Sequence, residues 1–376
     1  MNTINDYENE EYLTTQIITY IGNKRSLLNF IGEAVELVKK NLNKNKLDIV
    51  DIFSGSGIVS RYLKQHSSKI IANDLEDYSY VLNKCYLSNK EDINMSELVS
   101  WFNYLKENLN GELRNGIISE MYAPKDMANI KIGERCFYTT RNAKYIDTAR
   151  QLINNIPEQY RLYFIAPLLT EASVKNNTAG VFKGFYKNSK TGIGQFGGND
   201  ENALSRIKKD IDLPFPVFSN FNTKVEVFKE DANDLVKKLD FVDLIYMDPP
   251  YNQHPYGSNY FMLNLINKYE KPDLVSKVSG IPADWHRSKY NQSREALQTF
   301  ENLCRNAKAK YLLISFNNEG FIGKDDMVNM LSKIGNVSVM EKKYNTFRGS
   351  RNLYNRDIHV KEYLYLVEVN KYKETN

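Results

Sequence analysis

The sequence predicts an α/β protein with an open, mostly parallel sheet that is interrupted by a largely helical insertion. Three observations support this prediction. Apolar runs of strand length alternate with helical patterns toward both ends of the chain, a glycine-rich loop follows the first apolar run, and this alternation stops between residues 89 and 216. We therefore expect a first catalytic part over residues 1–88, an inserted domain over 89–216 and a second catalytic part over 217–376.

The composition excludes several classes of protein. The chain has 376 residues, a formal net charge of +4, four histidines and three cysteines without a paired spacing. These numbers indicate neither a disulfide framework nor a metal site, and we expect no metal. The acidic N-terminus lacks an apolar signal region, and no apolar stretch has membrane length. We expect a cytoplasmic monomer with no membrane partner.

Basic residues are unevenly distributed along the chain. From Met121 to Asp210, fourteen Lys or Arg residues stand against eight Asp or Glu residues, and a second basic excess lies between Lys342 and Lys361. A local positive field suits a polyanion such as nucleic acid, although an ordinary solvated surface also explains most runs of charge.

The first ordered signal is the loop at residues 17–25, which leads into a helix with Leu27, Leu28, Ile31, Val35 and Val38 on one face. Within this loop, a glycine at position 22 allows the backbone to approach a ligand, and a lysine at position 24 supplies charge. An ordinary loop and helix is the alternative.

The second signal is an apolar strand at residues 47–53, followed by Ser54-Gly-Ser-Gly57 and a helix. Strand, glycine loop and helix in this order are typical of a cofactor-binding first turn. The dinucleotide fingerprint would need glycine at Ser60, and the phosphate-loop pattern is absent. The loop therefore suits a ligand with a small polar tail and no pyrophosphate.

Two acidic residues follow the next predicted strands. Asp74 ends the strand at residues 69–73, about 20 residues after the glycine turn, where it can accept hydrogen bonds from both hydroxyls of a ribose. Asp231 follows the strand at residues 225–228, where it can accept from the amine of a cofactor's adenine. A helix N-cap is the alternative role of each.

The insertion contains helical stretches and one unusual loop. Lysines, asparagines and aromatic residues interleave between residues 175 and 187. Such a loop can contact phosphates, read base edges and fill the space that an extruded base leaves. The candidate DNA-binding residues in this loop are Lys175, Asn177, Lys183, Tyr186 and Lys187.

The chain closes with two apolar runs, at residues 336–340 and 362–368, which predict an antiparallel hairpin around a long basic loop. Arg348 and Arg351 lie in this loop and are candidates for gripping a DNA backbone.

The most informative stretch is Asp248, Pro249, Pro250 and Tyr251, which directly follows the apolar run at residues 244–247. Proline lacks the N–H that a sheet ladder needs and fixes φ, so the chain leaves the strand at a rigid angle. In an open α/β sheet, ligands bind at this end of the strands. The carboxylate and a proline carbonyl only accept hydrogen bonds, and the tyrosine can stack on a ring.

This set of groups suits the exocyclic amine of a base. Two acceptors directed at its two hydrogens favour a pyramidal nitrogen and stabilise the positive charge that grows as the nitrogen attacks an electrophilic methyl group. For this motif taken alone, a structural turn capped by Asp248 is the alternative. The glycine loop and the acids at other strand ends favour the catalytic interpretation.

Together the motifs resemble those of the DNA adenine N6-methyltransferases that use S-adenosylmethionine. The resemblance covers nearly the whole chain and implies a Rossmann-like methyltransferase sheet with an inserted target-recognition domain. The motifs that carry it are Tyr20–Lys24, Asp51–Gly57, Asn73–Asp74, Asp248–Tyr251, Ser258–Tyr260 and Ser315–Asn318.

The resemblance also implies roles for single residues. The residues that would hold the target adenine and catalyse the transfer are Asp248, Pro249, Pro250 and Tyr251. The cofactor site would comprise Tyr20, Gly22, Lys24, Asp51, Phe53, Ser54, Gly55, Gly57, Asp74, Asp231 and Asp248, with Lys24 serving either the cofactor or the flipped base.

The predicted function is site-specific methylation of N6 of an adenine flipped out of double-stranded DNA, in a restriction-modification system whose endonuclease acts separately. Methylation of cytosine N4, RNA or a protein amide is the alternative within catalysis, because the acceptor loop recognises an amine rather than DNA as such. A DNA-binding protein with a vestigial methyltransferase core is the alternative from another class.

Overall fold

The computed structural model describes residues 7–198, 203–345 and 359–372, and its centre is one seven-stranded sheet. Its strands are β1 (Leu47–Asp51), β2 (Ser67–Asn73), β3 (Lys224–Phe228), β4 (Val242–Met247), β5 (Ala309–Asn317), β6 (Gly335–Asn345) and β7 (His359–Val369). They lie in the order β3-β2-β1-β4-β5-β7-β6.

Five of the seven strands form a parallel sheet. Strand β1 pairs in parallel with β2 and β4, β2 with β3, and β4 with β5, whereas β7 pairs antiparallel with both β5 and β6. The predicted mostly parallel sheet with an antiparallel C-terminal hairpin is therefore confirmed. From β1 the sheet grows in one direction through β2 and β3. After β3 the chain returns to the other side of β1 and adds β4 and β5. The topological switch point therefore lies between β1 and β4.

Helices cover both faces of the sheet. On one face, α2 (Leu28–Leu42) and α3 (Ile58–Lys64) pack on the sheet through a common apolar cluster, and α1 (Glu10–Thr14) contacts α3. The predicted apolar face of α2 is buried. Helix α4 (Asp77–Tyr86) follows β2.

The insertion consists mainly of helices. They are α5 (Met95–Leu109), α6 (Ile117–Tyr122), α7 (Thr140–Ile153), α8 (Glu158–Val174) and α9 (Leu204–Lys208). The second part of the sheet domain adds α10 (Ala232–Lys238), α11 (Tyr256–Asn259), α12 (Phe261–Lys268), α13 (Ser293–Asn306) and α14 (Lys324–Leu331). Helices α10, α13 and α14 contribute to the cluster on the other face of the sheet.

The inserted helices do not pack around a core of their own. Residues of α5 to α8 share one hydrophobic cluster with α4 and α12, which belong to the sheet domain by sequence order. The domain boundaries at 88/89 and 216/217 stay a prediction. Among the described residues, no helix has the length and apolar character needed to cross a membrane.

A buried arginine attaches the N-terminal segment to the sheet domain. Arg61 of α3 is 1% exposed and donates to the backbone carbonyls of Tyr12, Thr15 and Gln16. Its guanidinium also lies 4.6 Å from the ring centroids of both Tyr12 and Tyr86. The bond to Tyr12 is buried and those to Thr15 and Gln16 are partly buried, so the arginine satisfies groups that would otherwise be costly to bury.

We expect Arg61→Met to lower the free energy of unfolding by roughly 3 kcal/mol, because the carbonyls lose a charged donor while the apolar stem is kept. Urea unfolding followed by circular dichroism measures this difference. The matched control is Arg141→Met, which breaks an exposed pair with Asp210 and should cost less than about 1 kcal/mol. Equal stability of the two variants would contradict the assigned role of Arg61.

Candidate active site

A cleft lies at the carboxyl ends of β1 and β4, at the switch point of the sheet. It holds about 960 Å³ of empty space, part of it open to solvent. Its walls come from the N-terminal loop, the loops after β1, β2, β3 and β4, and residues 286–291. Of the predicted site residues, the cleft brings together Tyr20, Gly22, Lys24, Asp51, Phe53, Ser54, Gly55, Asp74, Asp231, Asp248, Pro250 and Tyr251.

The glycine loop forms the floor of the cleft. Gly55 has φ of +50°, and a Cβ there would lie 2.9 Å from the ring of Tyr20, so glycine is needed for both the turn and the close approach. Gly57 does not line the cleft. It is the N-cap of α3, and a Cβ there would lie 2.8 Å from Asn83 Oδ1. Pro249 is likewise absent from the wall.

The two acids at the strand ends line the cleft and also fix local backbone. Asp74 accepts from the N–H groups of Gly55 (2.8 Å) and Glu76 (3.0 Å), and burial raises its pKa. Asp231 is the N-cap of α10 and accepts from the N–H of Asn233 at 2.8 Å. The helix cap that the sequence allowed for Asp231 is therefore present, together with its position on the wall.

Aromatic rings make one side of the cleft flat. Tyr20 stacks on Tyr256 and Tyr260, with ring centroids 5.0 and 4.8 Å apart. Phe53 and Tyr290 also line the cleft and meet edge to face, with ring centroids 5.2 Å apart. Such surfaces accommodate a planar ring system, which then buries apolar area on both faces.

A third acid lies beneath the glycine loop. Asp51 is fully buried at the end of β1, and Ser60 Oγ donates to its Oδ2 at 2.5 Å. Burial raises the pKa of Asp51 to about 7. Its charge is therefore sensitive to a cation placed in the cleft.

The centre of the site is an ammonium shared by two carboxylates. Lys24 Nζ lies 3.1 Å from Asp248 Oδ1 and 3.0 Å from Glu362 Oε1, and the side chains of Lys24 and Glu362 are 3% and 0% exposed. Burial raises the pKa of Asp248 to about 7 and the charge of Glu362 acts in the same direction, against the effect of Lys24. Burial lowers the pKa of Lys24, but Asp248 and Glu362 outweigh it and raise the pKa well above its usual value.

Glu362, which lies on β7, is not among the site residues predicted from the sequence. Ser315 Oγ donates to its Oε1 at 2.5 Å and Tyr344 OH to its Oε2 at 3.3 Å. One signal was available, because Glu362 is a charged residue at the start of a run of buried apolar residues on a central strand. It shares a strand face with Leu364 and Leu366, which pack toward α2.

Two of the predicted DNA-binding residues have internal partners instead. Asn177 is fully buried, donates to the carbonyls of Cys136 (2.8 Å) and Gln195 (2.7 Å), and accepts from the N–H of Gly197 (3.0 Å). Lys175 is 8% exposed and pairs with Glu171. The prediction that Lys175 and Asn177 contact DNA is corrected, because both side chains are used to hold the loop.

The remaining predicted DNA-binding residues differ in position. Lys183 and Lys187 are exposed, with the Lys187 ammonium 4.8 Å from the ring of Phe185, and Tyr186 is half-buried. Arg348 and Arg351 lie outside the described residues. In the part of the chain that the structure describes, no group of three or more His, Cys, Asp or Glu is arranged to hold a metal ion.

The chemistry of the cleft fits a nucleoside with a positively charged centre. Acids lie at the ends of β1, β2 and β3, flat aromatic surfaces border them, and the glycine loop leaves room where a Cβ would intrude. A mostly parallel seven-stranded sheet with β7 inserted antiparallel, and a cleft of this kind at its switch point, define a Rossmann-like methyltransferase, a class whose members in general use S-adenosylmethionine.

Comparison with known proteins identifies the family. The family model of the D12 class N6 adenine-specific DNA methyltransferases matches residues 20–330. The chain therefore belongs to this family of DNA-modifying enzymes.

Similar proteins include type II methyltransferase M.NlaIII of Neisseria lactamica, which is 31% identical over 93% of this chain and 99% of the relative. Type II methyltransferase M.CviAII of Paramecium bursaria Chlorella virus 1 is 29% identical over 94% of this chain and 98% of the relative. Type II methyltransferase M.FokI of Planomicrobium okeanokoites is 27% identical over 93% of this chain but 52% of the relative.

We expect Glu362→Gln to shift the acidic limb of the pH–rate profile to lower pH. In the unaltered enzyme kcat/KM for DNA should rise as pH increases through about 7, where Asp248 ionises. Loss of the Glu362 charge removes one influence that raises this pKa and leaves Lys24 to Asp248 alone, so the carboxylate ionises at lower pH. The profile of kcat/KM reports groups of the free enzyme and is the quantity to measure.

The matched control is Glu368→Gln, the same substitution at the other end of β7. It should leave the acidic limb unchanged. An unchanged limb in Glu362→Gln as well would contradict the coupling between Glu362 and Asp248.

Proposed function

We propose that this enzyme binds S-adenosylmethionine in the cleft and methylates N6 of an adenine that it flips out of double-stranded DNA at a specific site. The observation that supports this most directly is that the Asp248–Tyr251 corner and the glycine loop face one continuous cleft. Had a wall separated them, the acceptors and the cofactor would lie too far apart for transfer.

The residues proposed for the cofactor follow from their chemistry. Asp74 suits the ribose hydroxyls, Asp231 the adenine amine, and Phe53 and Tyr20 the flat ring, while Gly55 leaves space for close approach. Gly57 supports this loop from behind by packing on Asn83. When bound, the cofactor supplies an electrophilic methyl group on a sulfonium.

The residues proposed for the target base surround Asp248. Its carboxylate and a carbonyl of the proline pair accept the two hydrogens of N6, and Tyr251 stacks on the purine. The amine loses a proton after transfer. Lys24 faces the carboxylate rather than the glycine loop, which favours the target base over the cofactor as the group that it serves.

Flipping a base costs a few kcal/mol, which contacts to the DNA must offset. Exposed basic residues of the insertion, Lys183 and Lys187, are suited to this. We infer that the enzyme acts as a monomer in the cytoplasm and protects sites from a separate endonuclease. The protective role is supported by relatives that match nearly end to end and are named type II methyltransferases.

We expect Asp248→Ala to lower the single-turnover rate of methyl transfer by at least about 100-fold, because a preorganised group that stabilises developing charge is lost. DNA binding should persist, since the stack and the basic surface remain. Transfer of tritiated methyl groups to duplex DNA and a gel shift measure the two quantities. The matched control is Asp240→Ala, an exposed acid just before β4. A fully active Asp248→Ala enzyme would refute the assigned role.

Sequencing of methylated bases in DNA from cells that express the chain tests the function as a whole. We expect N6-methyladenine within one defined sequence. Methylated cytosine, or no modified base in DNA, would favour the alternatives drawn from the sequence.

A further inference from the structure

A second groove lies beside the cleft, and of the residues that line it the proposed function so far uses only Lys183. It is bordered by Lys183, Pro255, Leu274, Ile281, Trp285 and Arg287, and is called the flanking groove below. Residues 285–288 form the wall between the two cavities. Trp285 and Arg287 border the groove, whereas His286 and Ser288 border the cleft. A ligand in the groove would therefore lie next to whatever enters the cleft.

This wall packs directly on the catalytic side of the molecule. A Cβ at Gly257, in the helix after the Asp248–Tyr251 corner, would lie 2.8 Å from the carbonyl oxygen of His286 and 3.1 Å from its nitrogen. Only glycine allows the backbone at His286 to come this close. The position of the groove is thus fixed relative to the Asp248–Tyr251 corner.

The loop on the far side of the groove is also held in place. Arg135 donates to the carbonyls of Ser276 (3.3 Å), Lys277 (3.4 Å) and Val278 (3.3 Å), and Tyr122 OH donates to the carbonyl of Gly280 (2.6 Å). The groove is therefore formed before any ligand arrives, which lowers the entropic cost of binding.

The two charged residues that line the groove, Lys183 and Arg287, are both positive. Its lining contains no Asp or Glu, and neither Lys183 nor Arg287 has a carboxylate within ion-pair distance among the described residues. Burial and then the charge of Arg287 lower the pKa of Lys183, and burial and then the charge of Lys183 lower that of His254. Like charges held together in this way favour the binding of an anion.

The groove also offers apolar contact. Leu274 is 72% exposed and Trp285 37% exposed. An exposed indole beside two cations matches a nucleotide, in which a phosphate lies next to a sugar and a base that can stack.

We propose that the flanking groove binds a nucleotide next to the target adenine, with its phosphodiester between Lys183 and Arg287 and its sugar or base against Trp285. This inference rests on the proposed function, because the target adenine must enter the adjoining cleft. Holding the neighbouring nucleotide there would keep the flipped conformation of the strand and offset part of its cost.

The test compares Arg287→Gln and Lys183→Gln with the matched control Lys333→Gln. Lys333 is exposed and precedes β6 at the edge of the sheet opposite to the cleft. On a duplex that contains the recognition site, we expect each groove variant to bind about 10-fold more weakly than the unaltered enzyme. The slope of log K against log salt concentration should become shallower by about one, as expected for the loss of one phosphate contact. The control should bind as the unaltered enzyme does.

Neutral methylphosphonate linkages, placed one at a time around the target adenine, locate the contact. At one or two positions the neutral linkage should weaken binding by the unaltered enzyme but have little further effect on Arg287→Gln. An equal penalty in both proteins at every position would overturn the proposal, as would unchanged binding by both groove variants. A stimulation of binding by inorganic phosphate instead of competition would also count against it.

These outcomes separate the inference from the proposed function. If the unaltered enzyme forms no N6-methyladenine in DNA, the proposed function fails. If the unaltered enzyme does form N6-methyladenine in DNA but the groove variants bind DNA normally, only the inference about the flanking groove fails.

Discussion

The ion pairs of Lys24 hold together three parts of the chain that are far apart in sequence. Lys24 precedes α2, Asp248 follows β4, and Glu362 lies on the last strand. Placing a charge in a protein interior is costly unless partners compensate it, and one ammonium between two carboxylates compensates well. The conformation of the Asp248–Tyr251 corner therefore depends on the N-terminal loop and the C-terminal hairpin as much as on its own two prolines.

This arrangement also gives the site a reason for its second carboxylate. In the proposed function, a base amine that donates to Asp248 would compete with Lys24 for the same carboxylate. Glu362, to which Ser315 and Tyr344 donate hydrogen bonds, would then still pair with the lysine. The buried ammonium would therefore keep a partner while Asp248 contacts the base.

The residues at the strand ends could be predicted because one simple rule applies to them. Apolar runs without alternation mark buried parallel strands, and the carboxyl ends of such strands meet at one edge of the sheet. Asp74 and Asp248 each follow such a run, Asp231 follows the alternating edge strand β3, and all three line one cleft. The rule identifies neighbours in space without any knowledge of side-chain packing.

Other residues could not be predicted because their roles depend on partners that the local sequence does not reveal. Glu362 contacts Lys24 only because β7 is inserted between β5 and β6. Asn177 looks like a reader of bases, but the carbonyls of Cys136 and Gln195 take its donors. A side chain's hydrogen-bonding capacity can be read from its type, whereas whether the protein itself uses that capacity is settled only by the fold.

The shared hydrophobic cluster links recognition to catalysis. Since the inserted helices pack on α4 and α12, they cannot turn as an independent body without opening that core. Phe182 N–H donates to the carbonyl of Asn259 at 2.7 Å, so the loop that carries Lys183 is tied to the helix just after Tyr251. DNA bound by that loop would therefore lie at a fixed distance from the Asp248–Tyr251 corner. In the proposed function the DNA would then supply most of the movement, by extruding the target base from its stack.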